Sequence, residues 1–324
     1  MKAIVYTEYG SADVLHLDEV DKPVVGDDQL LVKVHAAAVN PLDWHYMRGL
    51  PYIGRMAFGV RKPKSQTLGA DFAGTVEAVG RNVKQFRPGD EVFGGTLGTF
   101  AEYMCVSEDG PVLQKPANLT LEAAAAVPVA ATTALQGLRD KGQIQPGQKV
   151  LINGAGGGVG TFAVQIAKSF GADVTAVCST KNVQMVRSIG ADHVVDYTQD
   201  DFTRSGLRYD LIVHIAGDRS LSDFRRALTP KGTLVVIGGE GGGRLLGPLA
   251  FLLKSLVLSR FVSQKVVPFI AATNKEDLVV LKDLIEAGKL TPVIDRHYPF
   301  AEVPKAVRYL EEGHARGKVV VNMT

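Results

Sequence analysis

Five glycines within seven residues carry the clearest chemical signal in this chain. In GAGGGVG they occupy positions 154, 156, 157, 158 and 160, between the apolar run KVLIN and the helical pattern TFAVQIAKSFG. Glycines at such a strand-to-helix turn let the backbone approach a pyrophosphate closely. The amino end of the following helix presents free amides and positive partial charge to the same anion. The pattern predicts a dinucleotide site, with a tight turn that binds no ligand as the alternative.

The end of the next predicted strand indicates which dinucleotide binds. NAD-specific sites usually place a carboxylate there, which binds the ribose 2′-hydroxyl. This chain instead reads AVCSTKN, with Ser179 and Lys181 and without an acidic residue. A hydroxyl and an ammonium group suit a 2′-phosphate. We therefore predict NADPH as the cofactor, although Lys181 could also be an ordinary solvated lysine at a helix start.

The stretch VNPLDWHYMRG at residues 39–49 is polar and aromatic. It could hold a metal, form part of a catalytic pocket or only begin a helix. Asn40 and Asp43 would also suit the first turn of a helix that starts at Pro41. Trp44 and His45 fit packing and surface positions. The stretch alone does not choose between these alternatives.

A metal site is disfavoured by the rest of the chain. The sequence contains two cysteines, Cys105 and Cys178, which lie far apart inside apolar runs. It has no CxxC or HExxH motif, no histidine pair at ligand spacing and no GxSxG motif of a serine hydrolase. We therefore expect no metal, and we expect a nicotinamide cofactor to carry the chemistry.

Composition and hydropathy argue against several other classes. A net charge of +2 without a long basic run offers nucleic acid no binding surface. The most apolar segment, residues 245–262, is interrupted by Pro248, Lys254 and Arg260 and falls short of the ~18 apolar residues of a membrane span. The first residues do not resemble a signal peptide, and the cysteines are expected to be buried thiols. We therefore expect a cytoplasmic protein without an integral membrane segment or a nucleic-acid partner.

GHARGK, near the carboxyl end, looks like a phosphate-binding loop but departs from that motif. Three residues rather than four separate its glycines, a strand is predicted after it instead of before it, and no serine or threonine follows the lysine. It is therefore not predicted to bind a nucleoside triphosphate. Arg316 and Lys318 could still reach a cofactor phosphate.

The pattern of the chain changes near its middle, which indicates two domains. Residues 1–107 read as short alternating or β-branched segments separated by glycine and proline, typical of an antiparallel barrel. From Lys149 onward, apolar strands alternate with helices, which favours a doubly wound parallel sheet. The predicted division is a first domain of residues 1–124, completed by 266–324 at the end of the chain, and a second domain of 125–265.

Two stretches resemble the medium-chain dehydrogenase/reductase family. LGADFAGTVEAVG with FRPGDEVFG is similar to the signature of its first domain, and GAGGGVGTFAVQIAK with GADHVVDY is similar to its cofactor domain. The likeness spans essentially the whole chain and points to the zinc-free quinone oxidoreductase branch, with its chloroplast-envelope and reticulon-interacting members. It implies an α/β protein with a GroES-like β-barrel domain, a Rossmann domain that binds NADPH, and a homodimer.

The resemblance also bears on zinc. Zinc-bearing members of the family have a cysteine ligand where this chain has Asn40 and a histidine ligand where it has Ala70. Their last ligand falls in VPVAATTA, which contains no thiol, and the cysteine-rich lobe of the structural zinc is missing. The resemblance therefore implies a zinc-free enzyme.

The same resemblance implies a set of site residues. Asn40 and Asp43 would lie beside the nicotinamide, and Tyr46 and Tyr52 are candidate hydroxyl donors. At the nicotinamide end of the cofactor, the expected residues are Thr133 at the nicotinamide or its ribose, and Ile237, Gly238 and Gly239 beside the nicotinamide. At the phosphates, they are Gly156, Gly157, Gly158 and Val159 for the pyrophosphate, and Ser179, Lys181 and Tyr197 for the 2′-phosphate. His314, Ala315 and Arg316 are expected to close over the cofactor. Members of this branch often have serine or alanine where this chain has Gly156.

Together these features predict hydride transfer from NADPH to a quinone or to an α,β-unsaturated carbonyl. Without a metal, the developing enolate charge must meet donors already in place. The Asn40 amide is the first candidate, and water or a tyrosine could supply the proton. We expect a hydrophobic carbonyl or quinone as the small-molecule partner. An enoyl-thioester reductase and a non-catalytic NADPH-binding interaction protein are the alternatives.

Overall fold

The computed structural model describes residues 1–237 and 263–323, which form two compact units. Unit 1 contains Met1–Thr132, Ala272–Gly288 and Pro292–Thr324, and unit 2 contains Thr133–Ala271 and Lys289–Thr291. The apolar segment 245–262 lies outside the described residues. Within the described ranges, no helix is long and apolar enough to cross a bilayer. The domain limits inferred from the sequence stay predictions.

Unit 1 is built on a seven-stranded sheet. Its strands are β3 (Gln29–Val39), β4 (Asp71–Val79), β5 (Glu91–Gly95), β6 (Tyr103–Ser107), β7 (Val112–Gln114), β14 (Ile294–Pro299) and β15 (Lys318–Asn322). They follow the order β14-β15-β3-β4-β5-β7, and β6 pairs with β3. The pairs are antiparallel apart from β14 with β15. Two further strands, β1 (Lys2–Val5) and β2 (His16–Glu19), pair with each other.

Strand β3 is the centre of this sheet. Its sequence QLLVKVHAAAV is largely apolar and buried rather than alternating, because β4, β6 and β15 all pair with it. Near its carboxyl end, Val39 lies opposite Val319 of β15, and Ala38 lies opposite Asp71 of β4. These registers bring three distant parts of the sequence together at the residue that follows β3, which is Asn40.

The helices of unit 1 begin and end at recognisable residues. They are α1 (Pro41–Arg48), α2 (Arg55–Phe58), α3 (Leu121–Ala125), α8 (Lys275–Glu286) and α9 (Val303–Glu311), and α4 (Pro128–Leu135) continues into unit 2. Thr120 caps α3, since its hydroxyl oxygen accepts the N–H of Ala123 at 3.2 Å. Helix α4 begins at Pro128, whose fixed φ suits the first position of a helix. Gly49, with a φ of 58°, ends α1.

Unit 2 is a parallel sheet covered by helices, as predicted. Its strands are β8 (Lys149–Asn153), β9 (Asp173–Cys178), β10 (His193–Asp196), β11 (Tyr209–His214), β12 (Leu228–Val236) and β13 (Lys265–Pro268), and its helices include α5 (Gly158–Ser169), α6 (Val183–Ser188) and α7 (Leu221–Ala227). The strands follow the order β10-β9-β8-β11-β12-β13 and all run parallel. The chain moves outward from β8 first to one side and then to the other. Ligands of such sheets bind at the carboxyl ends of the strands, where the order reverses.

Both cysteines are free thiols. Cys178 is buried at the end of β9, as expected. Cys105 in β6 is only partly buried, so the expectation of a buried thiol was wrong for this residue. Its position follows from strand alternation, because Met104 and Val106 on either side face the core.

Candidate active site

The glycine loop leaves the carboxyl end of β8, at the point where the strand order reverses. Gly154 has a φ of 94°, a conformation that other residues rarely adopt. A Cβ on Gly160 would lie 2.1 Å from the Gly154 carbonyl oxygen, so glycine is needed there for close packing of α5 on β8. Helix α5 begins at Gly158, directly after Gly157. The amides of its first turn have no partner within the helix, which is the feature by which helix starts bind anions.

The residues predicted for the 2′-phosphate lie on neighbouring strand ends. Ser179 follows β9, and Lys181 is exposed two residues later, in the turn Thr180–Asn182. Tyr197 follows β10, is 55% exposed, and its N–H donates to the Cys178 carbonyl at 3.0 Å. The structure therefore places the side chains of Ser179, Lys181 and Tyr197 at one edge of unit 2, together with the glycine loop.

One carboxylate at this edge was not considered in the sequence analysis. Asp196 ends β10, and it accepts hydrogen bonds from the hydroxyls of Thr180 at 2.5 Å and Thr198 at 2.8 Å. These hydroxyls hold the pKa of Asp196 below its usual value. Its oxygens are thus engaged by neighbouring threonines.

The residues predicted at the nicotinamide are described only in part. Ile237 follows β12, and its N–H donates to the His214 carbonyl at 3.0 Å. Gly238 and Gly239 lie outside the described residues. Thr133 lies in α4 with 8% of its surface exposed. The role of these residues at the nicotinamide stays a prediction.

Four buried polar side chains form the most tightly connected group in unit 1. This Lys318 cluster consists of Asn40, Asp43, Asp71 and Lys318, each 3% exposed or less. Lys318 Nζ donates to Asn40 Oδ1 at 2.6 Å and to Asp71 Oδ2 at 3.0 Å. Asp71 Oδ1 accepts the backbone N–H of Val129 in α4 at 2.8 Å. The cluster therefore links β3, β4, β15 and the first turn of α4.

Asn40 is fully engaged within this cluster. Its Nδ2 donates to Asp71 Oδ2 at 2.8 Å and to the Ala38 carbonyl at 3.2 Å, while its Oδ1 accepts from Lys318. An amide nitrogen has two hydrogens, and both are in use. In this conformation Asn40 can donate to an enolate only by giving up one of these bonds.

Asp43 serves the turn that begins α1. Its Oδ2 accepts the N–H of Asn40 at 2.7 Å, which is a helix-capping bond, and its Oδ1 accepts the N–H of Gly69 at 3.1 Å. Burial raises the pKa of Asp43 to about 7, against the lowering by these backbone N–H donors. Of the two readings that the sequence left open for Asp43, capping is therefore confirmed.

The candidate tyrosines lie on and just after α1. Tyr46 is partly buried, and its ring centre lies 4.0 Å from that of Phe58. Tyr52 is 44% exposed, and the guanidinium of Arg55 lies 4.8 Å from its ring centre. Arg55 Nε also donates to the Gly49 carbonyl at 3.0 Å, which fixes the guanidinium beside the end of α1. Neither phenol hydroxyl forms a hydrogen bond within the described residues.

The tail loop between α9 and β15 carries the last predicted cofactor residues. His314 and Arg316 are exposed, and Ala315 is partly buried. The Arg316 N–H donates to Asp295 Oδ2 at 2.9 Å, which anchors the loop to β14. Lys318, in contrast, points into the buried cluster, so the suggestion that it reaches a cofactor phosphate was wrong.

Sequence reasoning missed Asp71 and the role of Lys318. Asp71 stood inside the motif LGADFAG, which was used only to recognise the family, and Lys318 stood inside the rejected loop GHARGK. The available signal was that Asp71 and Lys318 each carry a charge next to a strongly apolar strand. A charge that is buried with such a strand needs a partner, so the two residues could have been expected to pair. Among the described residues, no group of three or more histidine, cysteine, aspartate or glutamate side chains could hold a metal.

Comparison with known proteins agrees with the antiparallel sheet of unit 1 and the parallel sheet of unit 2. Residues 26–117 match the model of the alcohol dehydrogenase GroES-like domain, and residues 189–321 match that of a zinc-binding dehydrogenase. The chain is 36% identical to 2-methylene-furan-3-one reductase of Solanum lycopersicum, covering 99% of this chain and 79% of the relative. It is 34% identical to the chloroplastic NADPH-dependent alkenal/one oxidoreductase of Arabidopsis thaliana, with the same coverage. The chain belongs to the medium-chain dehydrogenase/reductase family.

A solved structure supports the same assignment. The quinone oxidoreductase of Coxiella burnetii aligns with a TM-score of 0.84 and 30% identity, covering 100% of this chain and 99% of that one. The resemblance seen in the motifs, the GroES-like and Rossmann architecture, the oxidoreductase class and the use of a nicotinamide cofactor are thereby confirmed. Thr133, the glycine loop, the Ser179 turn and the tail loop remain the predicted residues for that cofactor.

Proposed function

We propose that this family member uses NADPH to reduce a quinone or the carbon–carbon double bond of an α,β-unsaturated carbonyl. The observation that carries the proposal is in unit 2, where a glycine loop lies at the strand-order reversal and β9 is followed by Ser179 and Lys181, with no carboxylate directly after the strand. The names of the tomato, Arabidopsis and Coxiella relatives describe such reductases. NADPH oxidation followed in parallel with 1,4-quinones, short enones and crotonyl thioesters tests it.

The same assay separates the alternatives. Preference for the crotonyl thioester would favour an enoyl-thioester reductase. Tight NADPH binding without turnover of any acceptor would favour a non-catalytic interaction protein. Turnover of quinones or enones supports the proposed reaction and its hydrophobic carbonyl or quinone substrate.

The protein must stabilise negative charge that develops on the substrate oxygen. NADPH, when bound, supplies the hydride. Tyr52 is accessible and its hydroxyl is free within the described residues, whereas Asn40 and Asp43 are 2% exposed and engaged. We therefore assign donation to the substrate oxygen to Tyr52, with Tyr46 as the second candidate. Asn40 and Asp43 hold the turn at the start of α1, which positions these tyrosines.

Replacing Tyr52 by phenylalanine tests this assignment. We expect kcat with an enone to fall by about 100-fold, the lower end of general-acid effects, because water can still deliver a proton. The NADPH Kd should not change. The Tyr103→Phe variant is a matched control, since Tyr103 lies in β6 with its ring under Lys22, 3.7 Å from the ammonium. Undiminished turnover in both Tyr52→Phe and Tyr46→Phe would contradict the assignment.

We further propose that the reaction needs no zinc. The side chains at the positions of two zinc ligands support this. Asn40 stands where zinc-bearing relatives have a cysteine thiolate, and Ala70 stands where they have a histidine imidazole. Moreover, the Lys318 ammonium already neutralises Asp71, and its charge would repel a second cation from the cluster. Dialysis against a chelator is expected to leave kcat unchanged, and metal analysis of active protein should find substoichiometric zinc. Activity that disappears with the chelator and returns with zinc would refute the proposal.

A homodimer in the cytoplasm is the proposed state of the protein. The family resemblance supports the dimer, and light scattering on a size-exclusion column measures it directly. Imaging of a fluorescent fusion tests the location, and an organellar signal would overturn it.

A further inference from the structure

Gly156 in the glycine loop lies against a side chain from another part of unit 2. A Cβ on Gly156 would lie 2.4 Å from Nδ2, 2.9 Å from Cγ and 3.1 Å from Cβ of Asn182. The backbone at Gly156 is not in the left-handed region, so lack of space, and not the dihedral angle, requires glycine here. Rotating the Asn182 amide would relieve only part of the overlap, because the Cβ of Asn182 is itself close.

Asn182 is firmly placed between two segments. It is 7% exposed, and its backbone N–H donates to the Ser179 carbonyl at 2.8 Å. Its side-chain Nδ2 donates to Ser179 Oγ at 3.3 Å. The same amide group therefore touches the turn proposed for the 2′-phosphate and fills the space beside the loop proposed for the pyrophosphate.

We infer that Asn182 is a positioning residue that joins the two phosphate-binding segments of the cofactor site. It is also the reason why position 156 is glycine in this chain. The inference rests on the proposed NADPH function and adds a coupling rule to it. A side chain at position 156 should be accommodated better when the residue at position 182 is smaller than asparagine.

A double-mutant cycle on the cofactor-free protein tests whether the Asn182 side chain takes the space that a side chain at position 156 would need. Gly156→Ala alone is expected to lower the melting temperature by about 5 °C, because overpacking a buried site is destabilising. In the Asn182→Gly background the same alanine should have little effect. An equal loss in both backgrounds, or no loss in either, overturns the inference. If Gly156→Ala yields no folded protein, recovery of folded protein in the double variant supports the inference, and failure of recovery overturns it.

Gly157 provides the matched control within the same loop. A Cβ there would meet only the Gly154 carbonyl oxygen, at 3.8 Å, and its φ of −89° suits alanine. Gly157→Ala should therefore keep the melting temperature of the cofactor-free protein. It should weaken NADPH binding by at least about tenfold, because the Cβ would take the space of the pyrophosphate. Normal NADPH binding by this variant would refute the proposed cofactor placement without affecting the result of the cycle.

Cofactor binding tests separately whether Asn182 joins the two phosphate-binding segments. Asn182→Gly removes the bond to Ser179 Oγ, so NADPH binding should weaken by about tenfold and NADH binding by clearly less. Cofactor fluorescence titrations measure both dissociation constants. Equal weakening, or none, would show that Asn182 does not act on the 2′-phosphate segment and would overturn the joining role.

Discussion

Replacing Lys318 by methionine is expected to lower the free energy of unfolding by about 3–5 kcal/mol, the usual cost of removing one partner of a buried ion pair. The change leaves the Asp71 carboxylate uncompensated in a site where it has no exposed surface. It also removes the donor that Asn40 Oδ1 accepts. Urea unfolding followed by circular dichroism measures the effect, provided that the dependence on urea concentration keeps its slope.

Two further variants distinguish this cause from simple loss of packing. Adding Asp71→Asn to Lys318→Met removes the stranded charge and keeps an oxygen for the Val129 N–H, so part of the stability should return. Lys305→Met is the exposed control, because the Lys305 side chain pairs with Glu302 at the surface of α9 and such pairs contribute about 0–1 kcal/mol. A loss at Lys318 no larger than that at Lys305 would contradict a structural role for the cluster.

The contrast between the glycine loop of unit 2 and the Lys318 cluster of unit 1 explains what the sequence could reveal. The glycine loop is local, because its strand, turn and helix occupy consecutive residues, and its chemistry follows from backbone geometry. The Lys318 cluster combines residues 40, 43, 71 and 318, which only the registers of β3 with β4 and with β15 bring together. No spacing rule along the chain contains that information.

The role expected for Asn40 also depends on residues that are distant in the sequence. Its type and position made it a suitable donor for an enolate, and its freedom to donate depended on neighbours from β4 and β15. The structure adds those neighbours, and with them both amide hydrogens are occupied. Similarly, the contact of Asn182 with Gly156 depends on how the turn after β9 folds back on the loop.

Strand and helix types were easier to predict because their patterns are periodic. The parallel sheet of unit 2 followed from uniformly apolar segments alternating with helices. The pattern of the carboxyl-terminal strand KVVVN alone fits either sheet. Its antiparallel pairing with β3 assigns it to unit 1 and carries Lys318 into the core.

Replacing both Ser179 and Lys181 by alanine is expected to convert the NADPH preference into near equality between the two nicotinamide cofactors. Each charge-assisted contact to a phosphate contributes about 1.5–3 kcal/mol, so the loss of both contacts should raise the NADPH Kd by at least about 100-fold. The NADH Kd should stay within about twofold, because the 2′-hydroxyl places no charge at this edge. Titrations of both cofactors by fluorescence measure the two constants.

Two controls distinguish direct contact with the 2′-phosphate from a general effect of positive charge on cofactor binding. One varies the ionic strength, and the other replaces a lysine away from the glycine loop. The proposed 2′-phosphate contact would be electrostatic and partly exposed, so the difference in NADPH Kd between wild type and variant should shrink as ionic strength rises. Lys265 is an exposed lysine at the first residue of β13, at the amino-terminal edge of the parallel sheet, away from the glycine loop. Lys265→Ala should leave both dissociation constants unchanged. If the Ser179 and Lys181 variant lost equal affinity for NADPH and NADH, these residues would only shape the turn. The 2′-phosphate would then have to bind a cationic side chain elsewhere.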